Sequence, residues 1–148
     1  MKTALDLGCG DLKEANSLTE YHVIAVDRKI EGVPLPHVTF IEGDYFDMEF
    51  KGEFDLIYSD YSICFNRRER IEENFPRILS LLRQGGILII RDFSSEEKVV
   101  QKRTNLDEEW FFELLRKNVG TLKIERKEVY EENHKHTHHL LIMTCQKV

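Results

Sequence analysis

The stretch Thr3-Ala4-Leu5-Asp6-Leu7-Gly8-Cys9-Gly10 decides the fold. Its first five residues read as a buried strand, and residues 11–18 read as a short helix. Between them the two glycines let the backbone turn sharply and come close to a ligand, and the helix start would present free N–H groups to it. Outward from this turn, His22-Val23-Ile24-Ala25-Val26 is a near-continuous apolar run ending in Asp27. Such runs fit strands covered on both faces, as in a parallel sheet. Residues 38–41, 54–59 and 87–90 are further strands of the same kind.

A longer helix is expected after residue 66, with Asn66 as its cap and Glu69 completing a capping box. Ile71, Phe75, Ile78 and Leu82 form its apolar stripe, Pro76 predicts a kink or break near residues 74–75, and Gly85-Gly86 supplies a stop. Asn105 and Glu108 frame another helix with Trp110, Phe111, Leu114 and Leu115 on its core side, ended by Gly120. Residues 122–130 and 136–145 are two strands joined by a short polar turn at 131–133, hence antiparallel neighbours. The result is a single α/β domain over 1–148: three layers, a mostly parallel Rossmann-like sheet and a C-terminal antiparallel hairpin.

Only residues 28–37 separate the second and third strands, and the next link is also short. A parallel crossover usually takes a dozen residues and a helix. Reduced helices in the N-terminal half imply exposed apolar sheet surface there. That surface predicts either a homodimer or a covering segment before strand one.

The chain has 148 residues, one domain's length, with 41% apolar and 32% charged residues. A mean hydropathy of −0.42 indicates a soluble globular chain. No apolar run spans a membrane, and strand one begins too early for a signal peptide. The net charge of −6 argues against a nucleic-acid surface. The clusters Arg67-Arg68-Arg70 and Lys98-Lys102-Arg103 read as solvated faces. Cys9, Cys64 and Cys145 are odd in number and widely spaced, which argues against a disulfide framework and for a reducing, cytoplasmic setting.

Strand-end acids give the turn its chemistry. Asp27, at the end of strand two, suits the vicinal hydroxyls of a ribose, and Asp44, just past strand three, suits the exocyclic amine of adenine. An adenosine-containing ligand across the ends of strands one to three follows. A dinucleotide fold would place a third glycine at position 13, which is Lys13.

The ordered segments ALDLGCG, VIAVD, FIEGD, FDLIYSD and LLRQGGILII resemble the class I S-adenosylmethionine-dependent methyltransferases across nearly the whole chain. The resemblance implies sheet order 3-2-1-4-5-7-6 and S-adenosylmethionine as cofactor. It implies that Asp6, Gly8, Cys9 and Gly10 bound the methionine end, that Asp27 holds the ribose, and that Asp44 and Tyr45 read the adenine. Ser59 and Asp60 fall where donor methyl and acceptor meet. Two departures stand out. Leu12 replaces a small residue and would crowd the cofactor, and the family's N-terminal helices are absent.

Residues 59–65 lack the proline-rich run of nucleobase amino-methylating enzymes, which points to a small-molecule acceptor. Tyr61 and Phe65 either wall its pocket or pack under the loop. Cys9 reads as a turn filler, since a thiolate there would be alkylated. The second cluster is His134-Lys135-His136-Thr137-His138-His139, on the strand whose start lies at the cofactor edge. On a strand 134, 136 and 138 share one face and 139 points to the other. A solvated hairpin end, an acceptor-orienting or proton-accepting group, and a metal site all remain open for these imidazoles. His136 and His138 provide two nitrogens but no third ligand is evident in sequence, so no metal centre is assigned. Asp60, His136 and His138 are the candidate bases. The rival reading is a non-catalytic methyltransferase-like subunit completed by a partner, and an NAD-binding module is a third.

Overall fold

The computed structural model describes residues 1–93, 108–132 and 135–148. Its elements are β1 (Lys2–Leu7), α1 (Lys13–Ser17), β2 (Tyr21–Asp27), β3 (Val38–Glu42), β4 (Phe54–Asp60), α2 (Arg68–Leu79), β5 (Leu82–Phe93), α3 (Glu108–Asn118), β6 (Gly120–Glu131) and β7 (His136–Lys147). The strands form one sheet in the order β3-β2-β1-β4-β5-β7-β6, as expected. β1 to β5 pair in parallel, while β7 runs antiparallel to both β5 and β6. Phe93 at the end of β5 pairs with Leu140, so residues 136–139 project past the C-terminal edge of the parallel strands. Asn105, His134 and the Lys98-Lys102-Arg103 cluster lie outside the described residues.

Side-chain alternation sorts the core onto two faces of unequal cover. On one face Leu5, Leu7, Val26, Ile57, Leu88 and Ile90 pack under α2 and α3, which contribute Ile71, Phe75, Ile78, Phe111 and Leu115, all fully buried. Phe75 and Phe111 stack with centroids 6.0 Å apart. The other face carries smaller groups, among them Ala4, Val23, Ala25 and Val38, which suit the short α1 and its Ala15.

The link from β2 to β3 holds no helix, yet the sheet beneath it is not bare. At Gly32 a Cβ would stand only 2.1 Å from the Asp11 carbonyl oxygen, so this backbone lies directly on the start of α1. On the link itself Val33 and Leu35 are exposed, 80% and 46% accessible, whereas Val23, Ala25 and Val38 of the sheet are buried. The expected bare sheet surface is therefore displaced onto a loop.

Three local expectations are corrected. The α2 cap position is Arg67, with no side-chain cap bond. Asn66 instead turns inward and donates through its amide to Tyr45 Oη at 3.1 Å and to the Ile63 carbonyl at 3.2 Å. α2 runs unbroken through Pro76 and ends at Leu79, so Leu82 and Gly85-Gly86 belong to β5 rather than to the helix and its stop. There the β4–β5 register jumps from Phe54↔Leu82 to Leu56↔Ile87, and Gly85, with φ +78, allows the irregular backbone. A helix-spaced apolar residue and a bulge residue look alike in sequence.

The Phe75–Phe111 stack joins both helices to the sheet. Phe75→Ala should therefore lower unfolding free energy by about 3–5 kcal/mol, read from urea midpoints at unchanged m.

Candidate functional site

The turn after β1 is held from behind by the end of β2. Gly8 N–H and Cys9 N–H both donate to the Val26 carbonyl, at 2.8 and 3.1 Å. Gly10 N–H donates to Asp27 Oδ2 at 2.8 Å, and Arg28 N–H to Oδ1 at 2.6 Å. These turn amides are thus already committed within the protein. Gly8 (φ +77) cannot carry a side chain, because a Cβ would stand 2.3 Å from Ser62 Oγ. Leu12 does not crowd this space. It takes a left-handed conformation (φ +66) and is wholly buried in the cluster of Ala15 and Val23 on the α1 face.

In front of the turn lies a cavity of about 220 Å³ lined in part by Gly8, Asp27, Asp44, Tyr45, Tyr61 and Ser62. Asp44 is tied to Arg28 at 2.7 Å and to Arg70 at 2.8 Å and also accepts from Phe46 N–H. Burial opposes its ionisation, but these bonds outweigh burial and hold the carboxyl below its usual range. Tyr45 is 6% exposed, with its hydroxyl 2.8 Å from Ser62 Oγ. Its edge meets Phe46, so it anchors the cavity floor to the core.

Asp6, at the other end of the turn, has no such cation among the described residues. Asp6 is 2% exposed, and Oδ2 has no hydrogen-bond partner among the described residues. Burial, reinforced by the charges of Glu14, Asp60 and Asp27, pushes its carboxyl up to about 7. Burial and then Asp6 and Asp27 push the Cys9 thiol up to about 12, so it stays protonated and fills space.

The remaining strand-four candidates are placed differently from expectation. Ser59 is fully buried beneath the sheet edge and lines neither cavity. Asp60 turns toward Arg91, with Nε 3.5 Å from Oδ1, on the face that carries Tyr58. Burial raises its carboxyl, against the pull of Arg91 and with the push of Glu14. It also lines neither cavity, so the geometry does not bring it to an acceptor.

A second cavity, about 380 Å³, lies beyond Tyr61 and is lined by Phe93, Val129, Glu131, His138 and Leu140. Tyr61 borders both cavities. Its ring lies 5.1 Å from that of Phe93, which lies 5.5 Å from the His138 ring. His136 and His138 share a face as alternation requires, with their Nε2 atoms 2.9 Å apart. His139 points the other way, its Nδ1 3.5 Å from Glu128.

Several site residues escaped the sequence reading. Ser62 and Asn66 sit in an irregular segment with no periodicity to mark them. Arg28 and Arg70 left no sign that they would pair with Asp44. Glu131 reaches His138, Oε2 to Nε2 at 2.8 Å, because the hairpin pairs it with His136. Only the register of β6 on β7 could have found it.

Comparisons with known proteins agree with this geometry. Residues 1–137 match the methyltransferase domain family. Phosphoethanolamine N-methyltransferase 1 of Triticum aestivum is 28% identical over 116 residues, which is 69% of this chain but only 23% of that enzyme. Among solved structures, 1,6-didemethyltoxoflavin-N1-methyltransferase of Burkholderia thailandensis, with 1,6-didemethyltoxoflavin and S-adenosylhomocysteine bound, superposes with a TM-score of 0.71. It is 20% identical, and the match covers 99% of this chain and 72% of that one. The Haemonchus contortus phosphoethanolamine N-methyltransferase 2, in complex with phosphomonomethylethanolamine and S-adenosylhomocysteine, gives 0.76 at 16% identity over 99% of this chain and 50% of its own. A glycine turn braced by a strand-two acid, in a sheet of order 3-2-1-4-5-7-6, thus goes with a family match over most of the length: the chain belongs to the methyltransferase domain family, within the class I S-adenosylmethionine-dependent methyltransferases.

Proposed function

We propose that the chain binds S-adenosylmethionine in the cavity before the glycine turn and transfers its methyl group to a small-molecule acceptor in the cavity beyond Tyr61. The observation that carries this reading is the convergence of Gly8, Asp27 and Asp44 on one cavity at the ends of β1, β2 and β3. The acids fit the cofactor's charge. Asp6 Oδ2 is buried without a hydrogen-bond partner among the described residues, burial and the charges of Glu14, Asp60 and Asp27 raise its carboxyl, and a cation nearby would favour its ionised form.

When bound, the cofactor supplies an electrophilic methyl group on a sulfonium. Gly8 and the turn would meet its amino-acid end, with Asp6 acting from behind the turn because it does not itself line the cavity, and Asp27 would hold its ribose. Asp44 and Tyr45, already fixed by Arg70 and Ser62, would form the adenine wall. The protein's remaining work is to align the acceptor and exclude water. Tyr61, Phe93 and Leu140 supply the apolar walls for that, and His138 faces the same space. An acceptor that must lose a proton would meet His138 there, with His136 behind it. Both solved neighbours cited above act, by their names, on nitrogen of small molecules, which supports this acceptor class.

A second reading has its own observation. The turn amides and Asp44 are satisfied without any ligand, as a non-catalytic domain serving a partner would have them. No described helix is long and apolar enough to cross a membrane. The three buried free cysteines favour a reducing compartment such as the cytoplasm. The accessible Val33 and Leu35 favour self-association through the β2–β3 link.

Calorimetry should show sub-millimolar binding of both S-adenosylmethionine and S-adenosylhomocysteine; binding of neither would establish the non-catalytic reading. Asp27→Ala should weaken both about 10- to 100-fold, the worth of one or two charge-assisted hydrogen bonds. An unchanged affinity would move the nucleoside elsewhere.

Asp6 also sets a pH dependence. Its folded value of about 7 lies above the ordinary 3.8, so the folded chain holds a proton that the unfolded chain has lost between those values. Stability therefore falls as pH rises from about 4 to 7, by at most about 4 kcal/mol, and is level above that. Asp6→Asn should remove this slope, raise the melting temperature of the free protein at pH 8 and weaken cofactor binding. Wild-type affinity for the cationic cofactor should fall by up to about tenfold per pH unit below 7. A His136→Ala/His138→Ala variant should keep cofactor binding and lose turnover. Light scattering should show a dimer that Val33→Ser/Leu35→Ser returns to monomer.

A further inference from the structure

We propose that Glu131, His136 and His138 form a binding site for one divalent transition-metal ion of the zinc type, at the rim of the acceptor cavity. The ligand atoms come from two strands. The β6–β7 register sets Glu131 opposite His136, and alternation puts His138 on the same face. His136 Nε2 and His138 Nε2 are 2.9 Å apart, His138 Nε2 and Glu131 Oε2 2.8 Å, and His136 Nε2 and Glu131 Oε2 3.7 Å. A point about 2 Å from all three atoms lies just off the plane of that triangle, which is the length of zinc–nitrogen and zinc–oxygen bonds.

The chemistry of the set agrees with its shape. His138 Nε2 stands within hydrogen-bond reach of an imidazole nitrogen and a carboxylate at once, yet a ring nitrogen carries one hydrogen or one lone pair. A single proton serves one of those contacts well. A cation between the three serves all, because each atom can present a lone pair to it. Two imidazoles and one carboxylate suit zinc, cobalt, nickel or ferrous iron rather than calcium or magnesium, which take oxygen-rich shells. Three protein ligands leave coordination positions free, as in catalytic rather than structural sites.

The placement gives the ion a use. Side-chain accessibilities of 37%, 23% and 17% for Glu131, His136 and His138 leave it reachable from solvent. Glu131 and His138 also line the cavity shared with Tyr61, so its free positions would open on the space proposed for the acceptor. An oxygen or nitrogen donor of the acceptor would ligate there, held by the metal rather than by a bare imidazole. That use rests on the methyl-transfer reading, but the site itself does not.

The test uses the full chain, chelator-treated, with its circular dichroism recorded, and needs neither cofactor nor acceptor. Titration with cobalt(II) alone should give a visible d–d band saturating at one ion per chain, and zinc should displace it. Glu131→Gln, nearly isosteric and chosen because it preserves packing, should weaken zinc binding at least about tenfold, and His138→Ala should abolish the band. Glu128→Gln, on the opposite face of the hairpin, should leave both unchanged. Absence of saturable binding would overturn the proposal, and so would equal binding in wild type and Glu131→Gln. Cofactor binding with no metal binding would defeat only this inference; metal binding with no cofactor binding would defeat only the methyl-transfer reading.

Discussion

Two acceptor groups at the end of β2, the Val26 carbonyl and the Asp27 carboxylate, take three successive amide protons from the turn after β1. The rest of the site depends on that brace. It exists because β1 and β2 pair with Leu7 opposite Val26, which puts Asp27 one residue past the last pair and level with Gly10. A slip of one residue would turn Asp27 to the other face and leave the turn amides unpaired. The register is in turn fixed by the core: Leu7 and Val26 are both fully buried on the α2–α3 face. Packing thus decides where the carboxylate stands, and the carboxylate decides the shape of the turn.

Charge is divided along the cleft. At the Asp44 end, arginines from the β2–β3 link and from α2 pair with the acids. At the Asp6 end burial and the charges of Glu14, Asp60 and Asp27 act on one carboxyl, and Asp6 is held largely protonated below neutrality. Such an arrangement costs folding free energy once Asp6 ionises. The pairing at Asp44 performs the opposite task, making one wall rigid before any ligand arrives.

The sheet was legible because apolar runs, strand-end acids and glycine punctuation recur in one order, and parallel strands buried on both faces leave that signature. Helix limits were less so. Leu82 falls at helical spacing from Ile78, and nothing in the sequence says that the chain has already turned into β5 at a bulge. Asp27 was legible as a cavity-lining acid because it ends a strand. Ser59 and Asp60 end the expected strand but line neither cavity, since a two-residue period cannot say which face borders a cavity. Glu131 was hidden for a plainer reason: its partners are set by hairpin register, a relation between strands rather than within one.

Tyr61 links these arguments. Its N–H donates to the Arg91 carbonyl at 2.8 Å, and its backbone sits at φ +54, a region a bulky residue enters at a cost of order 1–3 kcal/mol. The bond to β5 and the ring contact with Phe93 hold it there. In an ordinary extended conformation β4 would continue straight past the sheet edge. The left-handed residue instead turns the chain so that Ser62 drops against Gly8 while the Tyr61 ring stays above, between the two cavities. Strain at one residue therefore does two things: it seats Ser62 against Gly8, and it sets an aromatic ring between the two cavities.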